Sequence, residues 1–148
     1  MPEETNLGIK TWIMKSVMSF ILLILIAFII ERYTGYLIVT HSIIAIAIAL
    51  SLGFLHEVMH YWKATKLGYQ PKWYRTTFRM YFEVSSHSNR KSWREDMKKI
   101  GIAPYYVVVP LSFAILIIGL SIQHLGIIIG GLGSIILHLV SYRKEGEE

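Results

Sequence analysis

Four apolar stretches, each long enough to cross a bilayer, make up more than half of the 148-residue chain. They run from about residue 13 to 30, 36 to 62, 100 to 122 and 125 to 142. A helix needs about 20 residues to cross about 30 Å of hydrocarbon. In that medium the backbone must satisfy its own hydrogen bonds, so spanning elements are helices. The alternative is a set of buried soluble helices, but four in so short a chain exceed what one small core can hide. Charged residues support the membrane reading, at 17% of the chain against about 25% in an ordinary soluble domain. Lys10 and Lys15, at the N-terminal flank of the first stretch, suit a signal peptide. However, Glu31-Arg32-Tyr33 follows it with no small-x-small cleavage site, so it is expected to be a retained span. The expected fold is an all-α membrane protein, one membrane-embedded unit over residues 1–148, with four transmembrane helices in a lipid bilayer.

Charge sets the expected orientation. The connection over residues 63–99 holds ten Lys or Arg against three acids, Glu83, Glu95 and Asp96. With four spans, this connection shares a side with both termini, where Arg143 and Lys144 also fall. The opposite side has Arg32 as its only basic residue between spans. The positive-inside rule therefore places the connection and both termini in the cytoplasm of a multi-pass cell-membrane protein. Orientation and lipid headgroups account for the basic stretch more simply than nucleic acid does, and no nucleic-acid partner is expected.

The cytoplasmic insert is expected to hold strand and helix. Lys72 to Val84 reads KWYRTTFRMYFEV, rich in aromatic and β-branched residues with period-2 alternation, which predicts one or two strands. Gly68 and Pro71 before it, and Ser85 to Asn89 after it, are turn material. Ser92-Trp93-Arg94-Glu95 fits a capping box, predicting a helix that leads into the third span. Pro104 and Pro110 are expected to kink or restart that helix.

Residues 56 to 60 read His56-Glu57-Val58-Met59-His60, an HExxH motif at the end of the second span. On a helix, positions i and i+4 share a face, so both imidazoles can reach one Zn²⁺. Glu57 then stands beside a coordinated water as general base, and zinc lowers the pKa of that water to about 7. A chance HExxH is expected on the order of 0.01 times in a chain of this length. Three ionisable residues at this spacing on an apolar helix point to function. The bland alternative is interfacial histidines bonded to neighbours. With no Cys in the chain, any metal must be held by His, Asp or Glu.

The remaining histidines separate by depth. His56 and His60 lie roughly 5–10 Å inside the boundary marked by Lys63. His138, five residues before Arg143 on a span of the same direction, lies about 7 Å deep and is the favoured third ligand. His41 and His124 fall near the opposite ends of their spans, roughly 20 Å away, and are poor candidates. His87 sits in a polar loop, while Glu83 and Asp96 are on the correct side and stay open as ligands. Gly130-Gly131-Leu132-Gly133 is read as a close-packing surface that lets the fourth span approach the HExxH helix, rather than as a nucleotide loop. Tyr105 and Tyr106 are at a depth where an oxyanion could be stabilised, but interfacial anchoring explains both.

These residues resemble a family of small integral-membrane zincin peptidases, distantly similar in style to site-2 intramembrane proteases. The matching pieces are His56 to His60, the extended stretch Arg79 to Val84, Ala103-Pro104, and the Gly-rich last span at Gly130 to Ser134. The likeness covers roughly residues 50 to 142, and HExxH is its one specific motif. It implies a zinc metallopeptidase acting on a peptide or membrane-protein substrate. In the family pattern an acidic residue after the last Gly looks like the third ligand. Here that position is Ser134, and the only Asp is Asp96, so the third ligand does not carry over. The sequence thus predicts a zinc-dependent endopeptidase with His56, His60 and His138 on the metal and Glu57 as base. Its rival is a non-catalytic zincin-like membrane protein that binds a metal or a partner helix. A metal-transporting bundle is disfavoured because one span alone is rich in ligands.

Overall fold

The computed structural model describes residues 3–4, 9–75, 80–84 and 92–145. In chain order the elements are β1 (Glu3–Glu4), α1 (Ile9–Thr34), α2 (Leu37–Lys66), β2 (Lys72–Arg75), β3 (Met80–Glu83), α3 (Trp93–Ile102), α4 (Tyr105–Ser121) and α5 (Leu125–Glu145). Four helical segments are long and apolar enough to cross a membrane: Ile13–Thr34, Leu37–Lys66, Trp93–Ser121 and Leu125–Tyr142. The chain is an all-α membrane protein with a small strand-and-helix insert between its second and third spans. The helices outrun the expected spans at both ends of the chain. α2, with 30 residues, is about 45 Å long, so its last turns, with Lys63 and Lys66, extend past the hydrocarbon. The third span begins earlier than expected, at Trp93, and is broken where Pro104 was expected to restart it: α3 ends at Ile102 and α4 begins at Tyr105, with Pro104 in the N-cap position. Pro110 lies inside α4, which continues through it.

Packing follows the small residues. On α1, Ala27 is fully buried while Leu22, Leu25, Phe28 and Ile29 are exposed, as befits a lipid-facing helix held along one narrow stripe. The Thr40 hydroxyl donates to the Ala27 carbonyl at 3.3 Å and pins α1 to α2. Gly35, at φ +68°, makes the tight turn between them. Ala27, Ile44, Ile48, Leu52 and Val108 form the core among α1, α2 and α4. A Cβ on Gly126 would lie 2.6 Å from the His41 carbonyl oxygen, and one on Gly130 would lie 3.0 Å from Ile48. These two glycines let α5 approach α2. Gly131 and Gly119 serve the α4–α5 contact instead, where added Cβ atoms would meet the Leu116 and Ile128 backbones at 2.9 and 2.8 Å. Gly133, expected to help α5 approach α2, has nothing within 4 Å. Small residues at spacing four are the usual means of close helix approach in lipid.

The end of α2 is built by a Schellman motif. Gly68 takes φ +82°, the Tyr69 N–H donates to the Ala64 carbonyl at 3.1 Å, and the Gly68 N–H donates to Thr65 at 2.9 Å. Ala64, Tyr69 and Ile100 then form a second buried cluster, flanked by Leu67, Val84, Trp93 and Met97. In the stretch expected to hold one or two strands, β2 and β3 pair as an antiparallel hairpin, with Lys72 opposite Glu83 and Arg75 opposite Met80. β1 adds to the other edge of β2, with Glu3 opposite Arg75. The capping box does not form. α3 starts at Trp93 as expected, but the Ser92 side chain makes no cap bond to the backbone. Its hydroxyl instead donates to the buried Asp96 carboxylate at 3.2 Å, and the Tyr69 hydroxyl donates to the same oxygen at 2.8 Å. A carboxylate in the first turn of a helix suits the dipole there.

Candidate metal centre

His56 and His60 project from one face of α2, as the i, i+4 spacing requires. Their Nε2 atoms stand 2.9 Å apart and their ring centroids 4.6 Å apart. The Nδ1–H of His60 donates to the Ile100 carbonyl at 2.8 Å. That bond makes Nε2 the lone-pair nitrogen of a neutral His60, the form a metal needs. Ile100 is in place because the Tyr69–Asp96 bond and the second buried cluster fasten α3 against the end of α2. A backbone carbonyl leaves no mark in a sequence, so this partner could not have been foreseen.

His138 enters from α5, and its ring centroid lies 5.1 Å from that of His56. Its Nδ1–H donates to the Ser134 carbonyl at 2.7 Å, with the Ser134 hydroxyl at 3.2 Å. Here too Nε2 is the lone-pair nitrogen. The Ser112 hydroxyl donates to the Val108 carbonyl at 2.7 Å, so across the 2.9 Å contact it accepts from Ser134. Ser134 is therefore a buried neighbour of His138 tied to α4, and both serines are fully buried. Ser112 escaped the sequence reading; a lone hydroxyl in the apolar run of α4 was its signal.

The two nitrogens of a tetrahedral zinc site stand about 3.3 Å apart at metal–nitrogen bonds of about 2.05 Å. The His56–His60 pair, closed on itself by a hydrogen bond, needs to open by only about 0.4 Å to reach that separation. Among the described residues, no three His, Asp or Glu side chains already converge as a ligand set. His138 stands next to the pair, held by its bonds to Ser134. The donor chemistry fits zinc: imidazoles, two of them oriented by backbone carbonyls.

A cavity of about 270 Å³ lies between α2 and α5, with His56, Glu57 and His138 on its wall. Glu57 is half-buried there, beside the first imidazole. The Tyr105 ring stands edge-on to His56 at 5.1 Å and to Tyr142 at 5.0 Å, covering the histidines from the α4 side. Tyr106, its neighbour in sequence, is 75% exposed and points away. The depth argument could not separate these two tyrosines; the start of α4 at Tyr105 does.

The other candidates lie elsewhere. Asp96 is engaged by Tyr69 and Ser92, and Glu83 is exposed at the end of β3. His87 and Arg79 fall outside the described residues. His41 and His124 pack on each other at the far end of the bundle, with centroids 4.7 Å apart. There the Ile127 N–H donates to His124 Nδ1 at 3.3 Å, so this histidine caps the start of α5. No protein-family model, curated protein or solved structure matches the chain.

Proposed function

We propose that this protein is a membrane-embedded zinc metallopeptidase that hydrolyses peptide bonds of peptide or membrane-protein substrates near the cytoplasmic face of the cell membrane, with both termini in the cytoplasm. One observation carries the reading: His60 and His138, 78 residues apart in sequence on two helices, each give Nδ1–H to a backbone carbonyl and meet His56 beside a cavity that Glu57 lines. Such outer hydrogen bonds orient metal-binding imidazoles and raise their basicity. His56, His60 and His138 would hold Zn²⁺, which supplies Lewis acidity and an acidified water when bound. Glu57 takes a proton from the attacking water and passes it to the leaving nitrogen. The hairpin of β2 and β3 follows directly after the HExxH helix, and an extended substrate adds as a strand to its β3 edge.

The test is Glu57→Gln, which removes the base and keeps every ligand. It should retain zinc and lose hydrolysis of a panel of membrane-segment peptides by roughly 10²–10⁴-fold. Cleavage at the wild-type rate would refute the mechanism. A zinc-loaded wild type that cleaves nothing in the panel would favour the non-catalytic reading, in which the site binds a metal or a partner helix.

A further inference from the structure

The cavity beside Glu57 continues away from the histidines. Gly53 and Ala49 precede Glu57 by four and eight residues on α2, so they line it about 6 and 12 Å deeper in the membrane. Leu137 of α5 forms the facing rim. Gly53 and Leu137 are both exposed, so the cavity opens sideways between the two helices.

Gly53 has no packing reason to be glycine. Gly119, Gly126, Gly130 and Gly131 each face a neighbouring helix so closely that a Cβ would collide. A Cβ on Gly53 would have no heavy atom within 4 Å, and its φ is not in the left-handed region. A glycine inside a helix weakens that helix, so a packed or functional role is expected of it. Gly133 is equally open but lies off the cavity wall. What sets Gly53 apart is its place four residues from Glu57, where any larger side chain would compete for the cavity.

We propose that this cavity is a subsite for one bulky apolar side chain of the substrate, flanking the scissile bond, and that Gly53 and Ala49 set its size. The proposal rests on the zinc-peptidase reading. The volume is below the 300–1,000 Å³ typical of pockets for whole small molecules and suits a single residue. On the deep wall of Ala49, Gly53 and Ser134, the one side-chain hydroxyl, that of Ser134, is fully buried and already bonded to Ser112 and His138. A polar side chain inserted there would lose its water without compensation, whereas Leu or Phe would not. The substrate class is therefore a peptide with a large aliphatic or aromatic residue next to the bond that is cut.

The test uses the full chain in detergent, loaded with Co²⁺, and peptide hydroxamates carrying Gly, Ala, Leu or Phe beside the chelating group. Binding is read from the visible Co²⁺ bands. Wild type should favour the Leu and Phe probes over the Gly probe by about tenfold or more. Gly53→Leu and Ala49→Leu should each bring that ratio to within about twofold, with Co²⁺ loading as in wild type. A wild type without preference, or a preference kept in both variants, would overturn the subsite. Failure of wild type to load Co²⁺, or to bind any hydroxamate, would overturn the zinc-peptidase reading and this proposal with it.

Discussion

His138 shows how one side chain can be prepared by its own helix. Its Nδ1–H bond runs to the carbonyl four residues back, at 2.7 Å, and the hydroxyl of the same residue stands farther off at 3.2 Å. Removing the hydroxyl leaves the shorter bond intact. Ser134→Ala should therefore lower zinc affinity by less than about tenfold, at the weak end of outer-contact mutations. His138→Ala should lower zinc occupancy about as much as His60→Ala does, measured by equilibrium dialysis. Equal zinc binding by His138→Ala and wild type would move the third ligand elsewhere. Tyr69 acts at longer range. Its bond to the buried Asp96 carboxylate holds α3, and thereby the Ile100 carbonyl on His60. A hydrogen bond to a charged group contributes about 1.5–3 kcal/mol. Tyr69→Phe should cost stability of that order in chemical denaturation and should weaken zinc binding without touching the ligands. Unchanged zinc affinity in a destabilised Tyr69→Phe would separate α3 from the site.

At the scale of elements, α5 meets α2 through Gly126 and Gly130, and that contact brings His138 to His56. Gly130→Leu should press on Ile48 and cost about 1–3 kcal/mol through overpacking. Zinc affinity should fall with it, whereas Gly133→Ala, with open space around its Cβ, should lower neither. The spans were legible because about twenty predominantly apolar residues in sequence admit few other structures. Strand over Lys72 to Val84 was legible from its period-2 pattern, and the turn after α2 from Gly68. Helix starts were less so. Ser92-Trp93-Arg94-Glu95 has the letters of a capping box, yet Ser92 turns to Asp96, whose buried carboxylate accepts from both the Ser92 and the Tyr69 hydroxyls. Within the site, HExxH and the depth of His138 could be read from spacing. The Ile100 and Ser134 carbonyls could not, since backbone partners have no residue identity. The serine pair of α4 and α5 depends on a helix contact that no local pattern encodes.

For the whole molecule, the candidate centre lies at the end of the bundle that carries the hairpin, α3 and Lys63 and Lys66. In the proposed orientation, which follows the positive-inside rule, the ten basic residues of the 63–99 connection put that end in the cytoplasm. Reporter fusions at Ser88 and at the C-terminus should both give cytoplasmic signals, and an external signal at Ser88 would invert the orientation. The far end carries the turn between α4 and α5, the His41–His124 contact and little charge. The zinc site itself is the claim on which the rest depends. Its most direct test is the metal content of the purified full-length protein, freed of any affinity tag, by inductively coupled plasma mass spectrometry. The account predicts about one zinc per chain in wild type and in Glu57→Gln, and loss of that zinc in His56→Ala, His60→Ala and His138→Ala. Wild-type protein without zinc after incubation in the metal, or zinc retained when His56 and His60 are both replaced, would contradict it.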